Sequence, residues 1–324
     1  MTSRTWLGSS LLVLLVWGCN GSVDQPIDSP SELTEAKTAP KKADTAKDPV
    51  KTAKVEPESG LTTFETRAYC ENQLSRLPNA MKKAEIQRLC SEVELKESCV
   101  SKNGKPIFHF NRISKRKKPQ RILVKSLIHG DELASGTVAA SWMARLQSLS
   151  PRNTWRVIPI SNPDGWEQKT RQNANGVDLN RNFPSKDWEE LALKWWKTKK
   201  RKDPRRYPGP SAASESETKC YIAHIEEFDP DFIISIHTPL GLLDFDGPKI
   251  PAPKFKPLPW QSLGTYPGSL GRYMWKDKNV PVLTIELRGS NGVNSLESFD
   301  HLQDISGTVA IQAGRLLNSS ANRN

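Results

Sequence analysis

The sequence predicts an α/β fold, a central sheet with helices on both faces. Three observations carry that expectation. Beyond about residue 113, short apolar runs rich in β-branched residues alternate with longer stretches of helical periodicity. Turn-forming Asn, Gly, Asp and Pro separate them. Three of the apolar runs end in an ionisable residue, and in open α/β sheets ligands bind beyond the carboxyl ends of the strands.

In chain order, Arg4 followed by Leu11–Trp17 reads as a secretory signal peptide, since seven apolar residues are too few to span a bilayer. The segment Val16-Trp17-Gly18-Cys19 resembles a bacterial lipobox, which implies a lipoprotein signal over residues 1–18 and an acylated Cys19. Asn20 in place of Asp implies outer-membrane retention, so the protein is expected in the periplasm, anchored through Cys19. Several acyl chains on one Cys hold stably, at ~0.8 kcal/mol per buried methylene.

Residues 19–62 read as a disordered tether, because Pro, Ala, Lys, Thr, Asp and Glu dominate and no hydrophobic period appears. This tether dilutes the whole chain to 36% hydrophobic residues. It also carries little net charge, with six Lys and eight acids in 22–62. The excess behind the overall +11 therefore lies beyond residue 62.

Residues 63–112 form a small helical segment and a β-hairpin. Cys70, Leu74, Leu77, Met81, Ile86 and Leu89 recur at helical spacing within 64–98, and Lys102-Asn103-Gly104 marks the turn of a hairpin over Ser98–Arg112. Cys70, Cys90, Cys99 and Cys220 allow three pairings, and no CxxC-like pair suggests a zinc site. The predicted helical pair around Cys70 and Cys90 favours Cys70–Cys90 with Cys99–Cys220.

Residues 113–324 are expected to form one large α/β domain. Its strands are expected at Arg121–Ile128, Thr154–Ile160, Phe232–Ile236 and Val280–Ile285, and its helices at Ala134–Leu149, Ser214–Phe228 and Gly307–Leu317. The strand Ile122–Ile128 leads into His129-Gly-Asp-Glu132, the next ends at His237, and the third at Glu286. Two His and one Glu are a common protein set for catalytic zinc, with another Glu as base toward water.

His129-Gly-Asp-Glu132, Asn162-Pro-Asp-Gly165, Asp178-Leu-Asn-Arg-Asn-Phe183, Gly209–Glu217 and Thr284-Ile-Glu286 occur in this order. That ordered set, over about 110–317, resembles the zinc carboxypeptidases of the carboxypeptidase A type. The resemblance implies a mixed, mostly parallel twisted sheet and one zinc ion held by His129, Glu132 and His237. It implies Glu286 as general base, Arg171 as the arginine that stabilises the oxyanion, and Asn180 with Arg181 as holders of a terminal carboxylate. A planar guanidinium suits a carboxylate, and fixed cationic donors stabilise a developing oxyanion.

His237–Asp244 and Tyr266-Pro-Gly-Ser-Leu-Gly271 further resemble segments of the murein peptide amidase group, which cleaves between γ-D-glutamate and meso-diaminopimelate. That implies a peptidoglycan stem peptide as substrate, with Tyr266 closing on it and Asp244 or Asp246 facing the diaminopimelate ammonium. Two other functions stay open: a carboxypeptidase acting on ordinary peptides, and a catalytically silent wall-binding lipoprotein. Lys194–Arg206 holds eight basic residues and two Trp. In isolation such a run suggests nucleic acid. Behind a secretory signal no nucleic-acid partner is expected, and an anionic wall or lipid phosphate fits better.

Overall fold

The computed structural model describes residues 63–251, 258–289 and 297–321. The expected signal peptide, Cys19 and tether lie outside them.

Seven strands form one sheet: β1 (Val93–Val100), β2 (Pro106–Arg112), β3 (Arg121–Lys125), β4 (Thr154–Ile158), β5 (Phe232–His237), β6 (Leu240–Asp246) and β7 (Val282–Arg288). Their order is β1-β2-β4-β3-β5-β7-β6. The inner strands β4, β3, β5 and β7 are parallel, while β1, β2 and β6 add antiparallel edges. The sheet is thus mixed with a parallel centre, as the sequence implied. Central parallel strands are covered on both faces and read as continuous apolar runs. Ile122, Leu123 and Val124 of β3 are all fully buried. Their period-2 alternation sends Ile122 and Val124 into one core and Leu123 into the other.

The first core packs α3 (Leu133–Ser148) and α7 (Glu297–Ala321) through Val138, Trp142, Leu302 and Val309. The second packs α6 (Ser216–Phe228) through Tyr221, Ile225 and Phe228. The amino-terminal helices α1 (Thr63–Ser75) and α2 (Lys83–Cys90) join the first core through Leu74, Leu77, Ile86 and Leu89. Gly136 permits that seat, because a Cβ there would lie 2.9 Å from Leu77. Gln73 Oε1 also accepts from Trp166 Nε1 at 2.7 Å.

The helical reading of 64–98 ran too far, since the chain is already in strand at Val93. Pairing of Val93 with Phe110 draws these residues into the hairpin, and tertiary pairing overrides local periodicity. Disulfides join Cys70 to Cys90 and Cys99 to Cys220. The second ties the edge hairpin to α6 across 121 residues, a long loop whose closure removes ~4–5 kcal/mol of unfolded-state entropy in the chain-entropy description. Among the elements not anticipated are α4 (Pro163–Gln168), α5 (Trp188–Thr198) and β6.

Candidate active site

Parallel pairing sets the frame of the site. In the β5–β7 register His237 lies opposite Glu286, so both project at the carboxyl end of adjacent strands. Beyond β3 the chain turns through Leu127, at φ 45°, and Gly130. A Cβ on Gly130 would lie 1.9 Å from the Gly165 backbone, so only glycine lets this loop cross α4. Asn162 fixes the crossing: its Oδ1 accepts from Gly165 N at 2.9 Å and its Nδ2 donates to Ile128 O at 3.2 Å. The Asn-Pro-Asp-Gly motif therefore holds the loop that presents His129. Glu132 follows at the amino end of α3, where the helix dipole favours a carboxylate.

His129, Glu132 and His237 converge, with one donor atom from each within 4.8 Å of the others. Glu132 Oε1 lies 2.7 Å from His129 Nδ1, and Oε2 lies 2.8 Å from His237 Nδ1. The outer nitrogens are engaged elsewhere: His129 Nε2 with Asp178 Oδ1 at 3.0 Å, and His237 Nε2 with Ser235 Oγ at 2.9 Å. Rings that donate outward from Nε2 turn two Nδ1 lone pairs toward a carboxylate. Such a cluster of acceptors fits a cation in its midst, and outer partners of this kind orient metal-binding imidazoles. The donor set fits zinc.

Burial pushes the Glu132 carboxyl up, but the His129 and His237 rings overcome it and hold the group well below the carboxylate range. Asp178, fully buried, is likewise held well below that range by Arg171 and His129 against the push of burial. Behind the cluster lies fully buried Lys125, which burial depresses to about 7 despite the pull of Glu132 and Asp178.

Arg171 sits against the same cluster. Its Nη2 donates to Asp178 Oδ2 at 3.0 Å, and its Nη1 lies 3.2 Å from His129 Nδ1. Asn180 Oδ1 accepts from Leu270 N at 3.0 Å. Arg181 is buried, and its guanidinium lies 4.8 Å from the Tyr266 ring and 5.7 Å from that of Trp195. Its Nε has no partner among the described residues. Burial lowers the Arg181 guanidinium to about 10, with Asp178 opposing. A desolvated cation with a spare donor is poised for an anion.

The Tyr266-Pro-Gly turn passes so close to Arg181 that a Cβ on Gly268, at φ 74°, would lie 1.9 Å from the Arg181 carbonyl oxygen. The Tyr266 hydroxyl donates to Leu263 O at 3.1 Å. Asp244 and Asp246 are strand residues of β6 rather than acids of a solvated loop. Burial raises the Asp244 carboxyl, helped by Glu286. Burial, then Asp244, raises Asp246 to about 6, with Lys276 opposing. Glu286 is buried, and its Oε2 accepts weakly from Leu240 N at 3.4 Å.

Every metal-binding, catalytic and substrate-binding residue expected from the sequence lines one cavity of about 420 Å³. Arg171, Arg181, Arg205 and Arg206 supply its arginines, and Asp244, Asp246 and Glu286 are among its acids. No residue of α1, α2, β1 or β2 lines it. Sequence reasoning missed Asp178 and Ser235. One stands inside the Asp-Leu-Asn-Arg-Asn-Phe motif and the other two residues before His237, and those positions are the signal that was available.

A parallel-centred sheet with two His and one Glu at its carboxyl edge defines a metallohydrolase-type centre. The family described as zinc carboxypeptidase matches residues 66–243, and the chain belongs to that family. Murein peptide amidase A of Escherichia coli strain K12 is 32% identical over 144 residues, 44% of this chain and 57% of that protein. The chain thus matches little more than half the length of that relative. Murein peptide amidase A of Vibrio campbellii is 30% identical over 57% of this chain and 75% of its own. The crystal structure of carboxypeptidase A from Helicoverpa armigera shares the fold, with 16% identity, a TM-score of 0.50 and 81% of each chain covered.

Proposed function

We propose that the protein is a zinc metallopeptidase that hydrolyses peptide bonds in peptidoglycan stem peptides, as a γ-D-glutamyl–meso-diaminopimelate amidase or carboxypeptidase. One observation carries the substrate: a single cavity offers buried Arg181 for a carboxylate and Asp244 with Asp246 for an ammonium. A diamino diacid such as diaminopimelate bears both charges. The murein peptide amidase relatives support the same reading.

His129, Glu132 and His237 would hold one zinc ion, which supplies Lewis acidity when bound. Glu286 accepts a proton from the attacking water and passes it to the leaving nitrogen as the C–N bond breaks. Arg171 donates to the oxygen on which negative charge develops. Arg181, assisted by Asn180, orients the terminal carboxylate, and the Tyr266 ring covers the guanidinium. Anchoring through acylated Cys19 in the outer membrane would place this chemistry in the periplasm, facing the wall.

The test is mass spectrometry of stem tripeptide and of muropeptides after digestion, with ordinary peptides in parallel and zinc measured in the same preparation. Release of diaminopimelate-bearing product at about one zinc per chain is expected. Cleavage of ordinary peptides alone would replace the substrate assignment, and full activity without metal would remove the mechanism. For the anchor, labelled palmitate should enter the wild-type chain and not Cys19→Ala; equal labelling would exclude it.

A further inference from the structure

The basic run 194–206 is not absorbed by the chemistry above. Lys194, Lys197, Lys199, Arg201, Lys202 and Arg205 are exposed at the end of α5 and in the turn beyond it. Only Arg205 makes an ion pair among the described residues, with Asp131 at 3.1 Å. Cations at a helix carboxyl end are favoured by the dipole, but that accounts for the last turn alone. The run continues through Arg201 and Lys202, both left-handed at φ 50° and 58°. Two consecutive non-glycine residues in that region are costly, and the turn is held by Lys202 N donating to Trp196 O at 3.1 Å.

The cations also connect inward. Arg205 and Arg206 line the active-site cavity with Arg171 and Arg181, and Trp195 of α5 stacks near both Arg181 and Tyr266, at 5.7 Å and 5.1 Å. Arg205, exposed in that turn and also lining the cavity, joins the two sets of cations into one track.

Resting on the peptidoglycan reading, we propose that this track is an exosite for a carboxylate-rich polymer. It would seat the anionic wall beyond the stem peptide being cut, so that polymer-attached peptide is preferred over free tripeptide. The low-affinity, many-point attraction expected of such a surface is screened by salt, with a Debye length of about 10 Å at 0.1 M.

The test compares kcat/KM on insoluble peptidoglycan and on soluble tripeptide for the full-length protein and for Lys197→Gln/Lys199→Gln/Lys202→Gln. The triple variant should lose about tenfold on the polymer and stay within twofold on the tripeptide, with the polymer advantage vanishing at high salt. Equal loss on both substrates, or no loss on either, overturns the exosite. Cosedimentation of the Glu286→Gln protein with peptidoglycan and with phosphatidylglycerol vesicles decides the partner without turnover. Salt-sensitive binding to peptidoglycan supports the proposal, and binding to vesicles alone overturns it. Should neither substrate be cleaved, the peptidoglycan reading fails while cosedimentation still decides the exosite. A second variant, Arg201→Gly/Lys202→Gly, relieves the strain. It should raise Tm by a few degrees and weaken cosedimentation; a Tm gain with unchanged binding would mark a merely solvated turn.

Discussion

Asp178 and His129 meet at 3.0 Å, carboxylate Oδ1 to ring Nε2, with neither exposed to solvent. The other oxygen of Asp178 accepts from Arg171, so one buried carboxylate aims a metal-ligand candidate and the proposed oxyanion donor together. Asp178→Asn keeps the shape and removes the charge. Zinc affinity, read by chelator competition, should fall about 10- to 100-fold. An unchanged affinity would show that the contact does not orient the ligand.

Glu286 stands beside His237 in the strand register but is not one of the three residues whose ligand atoms converge, as expected of a base acting on water rather than a metal ligand. Glu286→Gln should therefore retain zinc while turnover drops by about 10²–10⁴. Metal analysis and kinetics on the same sample check both halves. Retained turnover excludes Glu286 as the base.

Asp246 supplies a pH dependence. Its carboxyl is raised by burial and by Asp244 to about 6, so it is neutral below that pH and charged above it. KM for an ammonium-bearing substrate should fall as pH rises from 5 to 7, and Asp246→Asn should erase that fall. A neutral isostere of the substrate, measured alongside, should lack it in both proteins. If the isostere shows the same trend, the titrating group is another.

Lys125 carries a stability prediction. Burial depresses its ammonium to about 7 in the folded state, below the ordinary lysine value. The unfolded chain then binds more protons between about pH 7 and 10, and this group's contribution to stability rises with pH across that window. Lys125→Met should stabilise most below pH 7, by about 5 kcal/mol, with the gain shrinking toward pH 10. Urea unfolding at pH 6 and 10 measures it. Destabilisation at pH 6 would mean that the rings of Phe183 and Tyr221, 5.1 and 5.2 Å from the ammonium, offset its desolvation.

Legibility differed by element. The apolar runs of β3, β4, β5 and β7 showed because parallel strands buried on both faces need nearly unbroken hydrophobicity. β6 did not show: Asp244 and Asp246 sit in a partly covered edge strand, where the pattern is weak and the acids suggest a loop. Glu132 and His237 stood out as ionisable residues after apolar runs. Ser235 did not, since a serine within Phe232–His237 looks like any strand residue until its hydroxyl is found on the His237 ring.

By itself the sequence determined the strand–helix alternation, the motifs that put His129, His237 and Glu286 at strand ends, and the stretch where positive charge accumulates. These are properties of local pattern and composition. Only the tertiary structure decided that β5 and β7 are neighbours, that Asp178 reaches His129 from 49 residues away, and that Trp195 and Tyr266 close around Arg181. Strand order and long-range side-chain contacts follow from how the two cores pack, and no window of neighbouring residues contains that information.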